Sequence, residues 1–206
     1  MRMASMERKS SQMRARLLLH LGRRLAHGDA KVKTLTPAQW MVLRYLGSAN
    51  RFSRTASAFA SFHGTTRGTA SQTIKLLVAD GYLDRTRSKR DGRSTRLDLS
   101  PKGWAALTED PYQALVEAID RLPTHLASTF GNVLDRLALD VSQALATTTF
   151  GSCEQCRNLE HDGTVGEESC TYYCLFAGEA LAAEELDTLC VDFEPVRTRR
   201  LEAIRR

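Results

Sequence analysis

The sequence predicts a mainly α-helical chain with one small β-hairpin and a separate cysteine-rich segment toward its C-terminal end. Three observations carry this. Apolar residues recur at helical spacing through most of the chain before residue 147. Two short strand-like runs, 82–87 and 94–99, flank a turn at Asp91-Gly92. All five cysteines lie after residue 150, in a stretch rich in glycine and acidic residues.

In order, Met13–Ala26 sets Leu17, Leu18, Leu21 and Leu25 at helical spacing and is closed by His27-Gly28. Thr36-Pro37 supplies an N-cap and first helical residue for a run through Trp40, Val42, Leu43 and Leu46 to Gly47. Arg54–Phe62 is a short helix with Ala56, Phe59, Ala60 and Phe62 inward. Gly64 breaks it, and Thr65 or Thr66 caps a further helix that reaches about Asp80 and stops at Gly81. The strands Tyr82–Arg87 and Ser94–Leu99 follow. Ser100-Pro101 then starts a helix that breaks at Asp110-Pro111.

Tyr112–Leu122 and Thr124–Thr147 are long helical runs separated by Pro123. The second carries Leu126, Phe130, Val133, Leu137, Val141 and Leu145, a stripe that needs a partner surface. This helix and the N-terminal one lie outside the compact central unit, so a homodimer interface is expected. The change of texture after Gly151 sets a boundary near residue 150 and divides the chain into 1–150 and 151–206.

Charge is also unevenly divided along the chain. Residues 1–110 hold 21 Lys and Arg against 8 Asp and Glu, whereas 111–206 hold 8 against 16. The basic half suits a polyanion, and the acidic segment is repelled by one. No apolar run, Leu17–Leu19 included, approaches the length needed to span a membrane. The N-terminus MRMASMERKSSQ lacks the apolar core of a secretory signal, so a soluble cytoplasmic protein is expected.

Two short helices joined by a tight turn and followed by a hairpin form a winged helix-turn-helix, whose second helix enters the DNA major groove. On that helix Arg67, Thr69, Ser71, Gln72 and Lys75 are the long or hydrogen-bonding residues, while Ile74, Leu77 and Val78 face inward. Gln72 suits bidentate pairing with adenine, and Arg67 suits guanine or phosphate. The hairpin tip carries Lys89, Arg90 and Arg93. Residues 1–150 are therefore read as a DNA-binding and dimerisation domain. Two copies reading half-sites about one helical turn apart imply an inverted-repeat operator in double-stranded DNA.

LTPAQWMVLRYL, ASQTIKLLVADGYLDR, the tip SKRDGRS and the closing LDLSPKG resemble the MarR family of bacterial transcriptional regulators, over about residues 10–147. The resemblance implies a regulator, by expectation a repressor, dimerised by its long N- and C-terminal helices. It also implies that Asp91 braces the wing by pairing with an arginine and that Arg93 reaches the minor groove. Many members carry arginine after that aspartate. Here Gly92 stands in its place, and Arg90 is the substitute.

The cysteines are Cys153, Cys156, Cys170, Cys174 and Cys190, spaced C-x2-C-x13-C-x3-C-x15-C. In a cytosolic protein such a cluster reads as a metal or iron–sulfur site rather than as disulfides. Cys153, Cys156, Cys174 and Cys190 form the expected set of four, with Cys170 as an extra thiol or an exchange partner for Cys174. CEQC-RNL, YYCLF and LCVDFEP resemble small appended four-cysteine segments that bind zinc or an iron–sulfur cluster. Zinc would fold a segment lacking a core. An iron–sulfur cluster is slightly favoured by the aromatic surroundings and the fifth cysteine.

The function expected is thus a DNA-binding regulator whose affinity answers to a cluster or to redox state at the C-terminal cysteines. The alternative is a regulator sensing a small aromatic ligand, in a pocket of Trp40, Phe62, Trp104 and Tyr112, with a purely structural zinc site. A redox or electron-transfer protein is a remote third. His20, His27, His63, His125 and His161 are scattered, and no hydrolytic or phosphate-loop motif is present, so no enzyme activity is expected.

Overall fold

The computed structural model describes residues 2–26, 35–87, 95–163 and 171–196. It is mainly helical, with small antiparallel sheets. Helix α1 (Arg2–Ala26) starts well before the predicted Met13. Along it Met13, Leu17, Leu18, Leu19 and Leu21 all stand exposed.

Helix α2 (Pro37–Ser48) opens on Thr36, and the cap is reciprocal. The Gln39 N–H donates to Thr36 Oγ1 at 3.3 Å, and the Thr36 N–H donates to Gln39 Oε1 at 2.8 Å. Its inner face puts Trp40, Val42, Leu43, Tyr45 and Leu46 into the core. Helix α3 (Ala56–Phe62) begins later than the predicted Arg54 because Thr55 caps it, accepting from the Ala58 N–H at 3.1 Å. Gly64 takes φ +61°, the left-handed value that lets the chain turn sharply out of α3. Thr66, rather than Thr65, then caps α4 (Arg67–Ala79). Phe59, Ala70, Ile74 and Leu77 close over α2, and Leu83, Leu97 and Leu99 from the hairpin complete one core. Each such aliphatic side chain contributes roughly 1.5–3 kcal/mol by leaving water.

The hairpin pairs β1 (Leu83–Arg87) with β2 (Thr95–Leu99), in the register Leu83↔Leu99, Arg85↔Leu97 and Arg87↔Thr95. The predicted wing-tip residues Arg90, Asp91 and Arg93 lie outside the described residues. Helix α5 (Pro101–Thr108) follows at once, and its start clamps the end of α4. The Ser100 N–H donates to the Tyr82 carbonyl at 3.0 Å, Ser100 Oγ to Gly81 O at 2.7 Å, and Lys102 Nζ to Asp80 O at 2.7 Å. A Cβ on Gly103 would stand 2.4 Å from the Tyr82 carbonyl oxygen, so the close approach requires glycine.

Helices α6 (Gln113–Asp120) and α7 (Thr124–Ala144) are shorter than the predicted runs. α7 stops because Ala146 turns left-handed at φ 50° and the Thr147 N–H returns to Ser142 O at 2.9 Å. Glycine usually takes that position, and alanine there sends no sequence signal. Leu126, Val133, Leu137, Val141 and Leu145 of the predicted stripe are exposed. No helix among the described residues is long and apolar enough to cross a membrane.

After residue 150 the chain becomes β-rich. Strand β3 (Gly151–Ser152) pairs with β7 (Leu189–Cys190), and β4 (Leu159–Asp162), β5 (Thr171–Cys174) and β6 (Glu179–Leu181) form a three-stranded antiparallel sheet. Cys153, Tyr172, Leu181 and Leu186 make a second small core. This cysteine unit is seated on the turn between α2 and α3. The Asn50 N–H donates to Leu189 O at 2.9 Å, Ala49 bridges to Leu189, and the Val191 N–H donates to Ser53 Oγ at 3.1 Å. Arg51 adds ion pairs to Glu185 and, at 3.5 Å, to Glu179.

Candidate nucleic-acid interface and cysteine pocket

Helix α4 has one buried stripe, Ala70, Ile74 and Leu77, so its opposite side is free to meet a ligand. Arg67, Thr69, Gln72 and Lys75 are exposed there, whereas Ser71 is half-buried at the margin. The N-cap arrangement holds Thr69, whose N–H donates to Thr66 Oγ1 at 3.1 Å while the two hydroxyls lie 2.9 Å apart. Leu76 shares the outer face at 58 % exposure. The sequence reading missed it, because an apolar residue at helical spacing is ordinarily assigned inward. Apolar contact with a thymine methyl is the chemistry such a residue offers in a major groove.

Strand β2 of the hairpin is anchored to the start of α3. The Leu97 N–H donates to Arg54 O at 2.8 Å, and Arg54 Nη1 reaches Asp98 Oδ1 at 3.1 Å. Arg96 shares the same carboxylate oxygen at 2.9 Å. Strand β2 is thereby tied to the residues that lead into α3.

The structure brings together Cys153, Cys156, Cys174 and Cys190, all as free thiols, around one small cavity of about 20 Å³. Phe52 and Phe176 form part of its wall. Cys170 lies outside the described residues. Among the described residues, no three His, Cys, Asp or Glu side chains stand in the arrangement that holds a single metal ion. His161 contacts Gly163 O at 3.3 Å and is exposed.

Burial raises the Cys153 thiol to about 11, and the neighbouring Cys190 adds to the rise. Asn50 opposes it, its Nδ2 standing 3.9 Å from the Cys153 sulfur. Burial likewise pushes Cys190 up, against hydrogen bonds from the Asn50 and Ser53 side chains. Asn50 thus touches the thiols, and Ser53 the chain beside Cys190, from the turn between α2 and α3, and no local pattern in the sequence pointed to either.

A second cleft, about 750 Å³, lies between α2, α5 and the start of α6. Phe62, Trp104 and Tyr112 of the predicted aromatic set line it, with Tyr45, His63 and Arg44. Trp40 of that set is instead in the core at 3 % exposure.

The family model for the MarR family matches residues 33–94. Among solved structures, the chain is similar to a MarR transcriptional regulator from Methanosarcina mazei Go1, at 17 % identity and TM-score 0.51, over 66 % of this chain and 99 % of that one. It is also similar to a MarR/EmrR family transcriptional regulator from Acinetobacter sp. ADP1, at 15 % identity and TM-score 0.51, over 66 % and 97 % of the two chains. At such identities the likeness is one of fold. No curated protein matches the chain.

Proposed function

We propose that this chain, whose residues 33–94 are a MarR-family winged helix-turn-helix, is a dimeric transcriptional regulator that binds double-stranded DNA. The observation that carries this reading is the outer face of α4, where Arg67, Thr69, Gln72 and Lys75 stand exposed beside the basic hairpin. Gln72 reads a base edge, Arg67 and Lys75 meet phosphate or guanine, and Thr69 and Ser71 hold the helix in register on the backbone. Arg90 and Arg93 extend the contact from the wing tip, with Asp91 bracing it. The exposed apolar residues of α1 and α7 are the surface for a second copy, and a two-fold dimer asks for an inverted-repeat operator. Repression follows where such an operator overlaps a promoter.

The four-cysteine cavity is the sensing site in this reading. Cys153, Cys156, Cys174 and Cys190 would hold the group, with Cys170 as the spare thiol. Four sulfurs line one cavity, the donor set that suits an iron–sulfur cluster or a zinc ion, and the cluster is the reading preferred here because it gives a regulator a redox-labile group. Such a cluster supplies a charge and an integrity that oxidants change.

Fluorescence anisotropy with a selected operator duplex tests the DNA reading. Binding falls linearly on a log–log salt plot, with a slope set by the phosphates contacted. A chain that selects no duplex from a random pool at low salt overturns it. The aromatic cleft favours a second reading, a small aromatic effector seated among Phe62, Trp104 and Tyr112 beside a structural zinc site. Aromatic carboxylates that shift DNA affinity at fixed metal content would support that reading.

A further inference from the structure

We infer that Asn50 and Ser53 are positioning residues that couple occupancy of the cysteine cavity to the DNA-reading unit, the loaded protein binding DNA more tightly. The inference rests on the cluster reading above and names its route. Both residues belong to the turn between α2 and α3, and both are almost wholly buried, at 1 % and 0 % exposure. Buried polar side chains persist only where they are paired. Here the pairing crosses from one domain to the other.

Asn50 donates its backbone N–H to Leu189 O at 2.9 Å, directs Nδ2 at the Cys153 sulfur 3.9 Å away, and accepts the Ser53 N–H at Oδ1 at 2.8 Å. Ser53 Oγ accepts the Val191 N–H at 3.1 Å, and Ser53 O accepts the Tyr45 hydroxyl at 2.8 Å. Both side chains also stand beside Cys190, where they favour the charged form of its sulfur.

A neutral thiol is a weak acceptor, whereas a ligating thiolate carries negative charge and accepts a charge-assisted bond. The same N–H and O–H groups therefore bind more strongly when the four sulfurs are ligands. That is the differential contact a coupled equilibrium needs. The turn being stiffened leads directly to the reading unit. Arg54, the next residue, receives the Leu97 N–H of β2 at 2.8 Å and donates to Ala49 O at 2.9 Å, and Thr55 caps α3. A firmer turn holds α3 and the wing strand in a fixed relation to α4.

The cysteine unit also meets α7, through an exposed hydrogen bond of 3.2 Å from Gln155 Nε2 to Asp135 Oδ2, which water readily replaces.

The test uses the full-length protein, stripped by chelation and then reconstituted anaerobically with ferrous iron and sulfide. The loaded wild type is expected to bind operator about tenfold more tightly than the stripped form. In Asn50→Ala and Ser53→Ala the cavity still takes up iron and sulfide, but the loaded-to-stripped ratio falls toward one. Ser53→Thr, which keeps the hydroxyl, restores it. The reduction potential of loaded Asn50→Ala also moves negative, because the lost donor no longer stabilises the reduced form.

Variants that load but keep the full wild-type ratio overturn the coupling while leaving the cluster reading intact. Hydrogen exchange at residues 49–54 of the wild type checks it without mutation: slower exchange in the loaded protein is expected, and equal exchange overturns the coupling. A wild type that takes up zinc alone, with no iron–sulfide chromophore, removes the cluster reading and this inference together.

Discussion

Arg44 grips Asp110 with both arms of its guanidinium, Nε to Oδ2 and Nη2 to Oδ1 each at 2.6 Å, across 66 residues of sequence. The same Nη2 also donates to Leu25 O at 2.9 Å, at the end of α1. Asp110 Oδ1 accepts the Tyr112 N–H at 2.9 Å. One buried ion pair therefore ties together α1, α2 and the bend between α5 and α6. With Asp110 at 2 % exposure, its loss leaves the half-buried Arg44 without its charged partner. Asp110→Ala is expected to destabilise the protein by about 3 kcal/mol, measured by urea denaturation. A loss of a few tenths would show that the pair is replaceable by water.

Gly103 sits beneath the Tyr82 carbonyl, where any side chain collides with backbone. Gly103→Ala must push α5 away from the end of α4, at a cost of about 2 kcal/mol. Because Ser100 and Lys102 clamp that end, DNA affinity falls along with stability. Thermal melting and operator binding of the same preparation check both. An unchanged melting temperature would mean that α5 moves freely.

Gln72 and Lys75 stand on the same face of α4 but carry different chemistry. Gln72→Ala is expected to cost roughly 1–3 kcal/mol at one operator position and to relax selection there. Lys75→Ala weakens all duplexes alike and lowers the salt slope by about one. Swapped outcomes would rotate the helix in the groove.

His63 packs against Phe59, Phe62 and Tyr45, with ring centroids at 4.6, 4.8 and 6.1 Å, and its Nε2 is buried without a hydrogen-bond partner among the described residues. Burial lowers its pKa. Above the ordinary histidine value of about 6.5 neither folded nor unfolded chain is protonated there, and the ring costs nothing. As pH falls below that value the unfolded chain takes up a proton first, so stability drops until the buried ring also titrates. His63→Phe should flatten this acid-side decline in melting temperature. An identical decline in the variant would assign it to other groups.

The cysteine unit also constrains truncation. Deleting 151–206 removes the partners of Asn50 and Ser53 and opens a turn that the full chain buries. The shortened protein is expected to melt several degrees lower while retaining operator binding, with no response to iron and sulfide. Calorimetry and anisotropy on both chains measure this, and a truncated protein that still responds would move the sensor elsewhere.

Local chemistry made much of this molecule legible in the sequence. The caps at Thr36, Thr66 and Ser100, the prolines behind two of them, and the apolar spacing of α2 and α4 all act within one turn of helix. Such short-range preferences write themselves into neighbouring residues, and so the winged unit and its outward polar face were readable. The four thiols were likewise found by spacing, and the fold brings all four to one cavity. The wing tip lies outside the described residues, and α7 ran too long in the sequence reading because Ala146 turned where only glycine would have given notice.

Long-range pairing was another matter. Arg44 meets Asp110 from 66 residues away, and Val191 meets Ser53 from 138. Nothing in the residues beside Asn50 or Ser53 says that they will be buried against cysteines a hundred positions on. The composition of the segment after residue 150 suggested a separate appendage. Only the folded chain shows where that segment sits: backbone pairing of β7 with the turn at Asn50 seats it on the connection between α2 and α3. Sequence periodicity records what a residue does within its own helix or strand, whereas docking depends on complementary surfaces that meet only once both elements have folded.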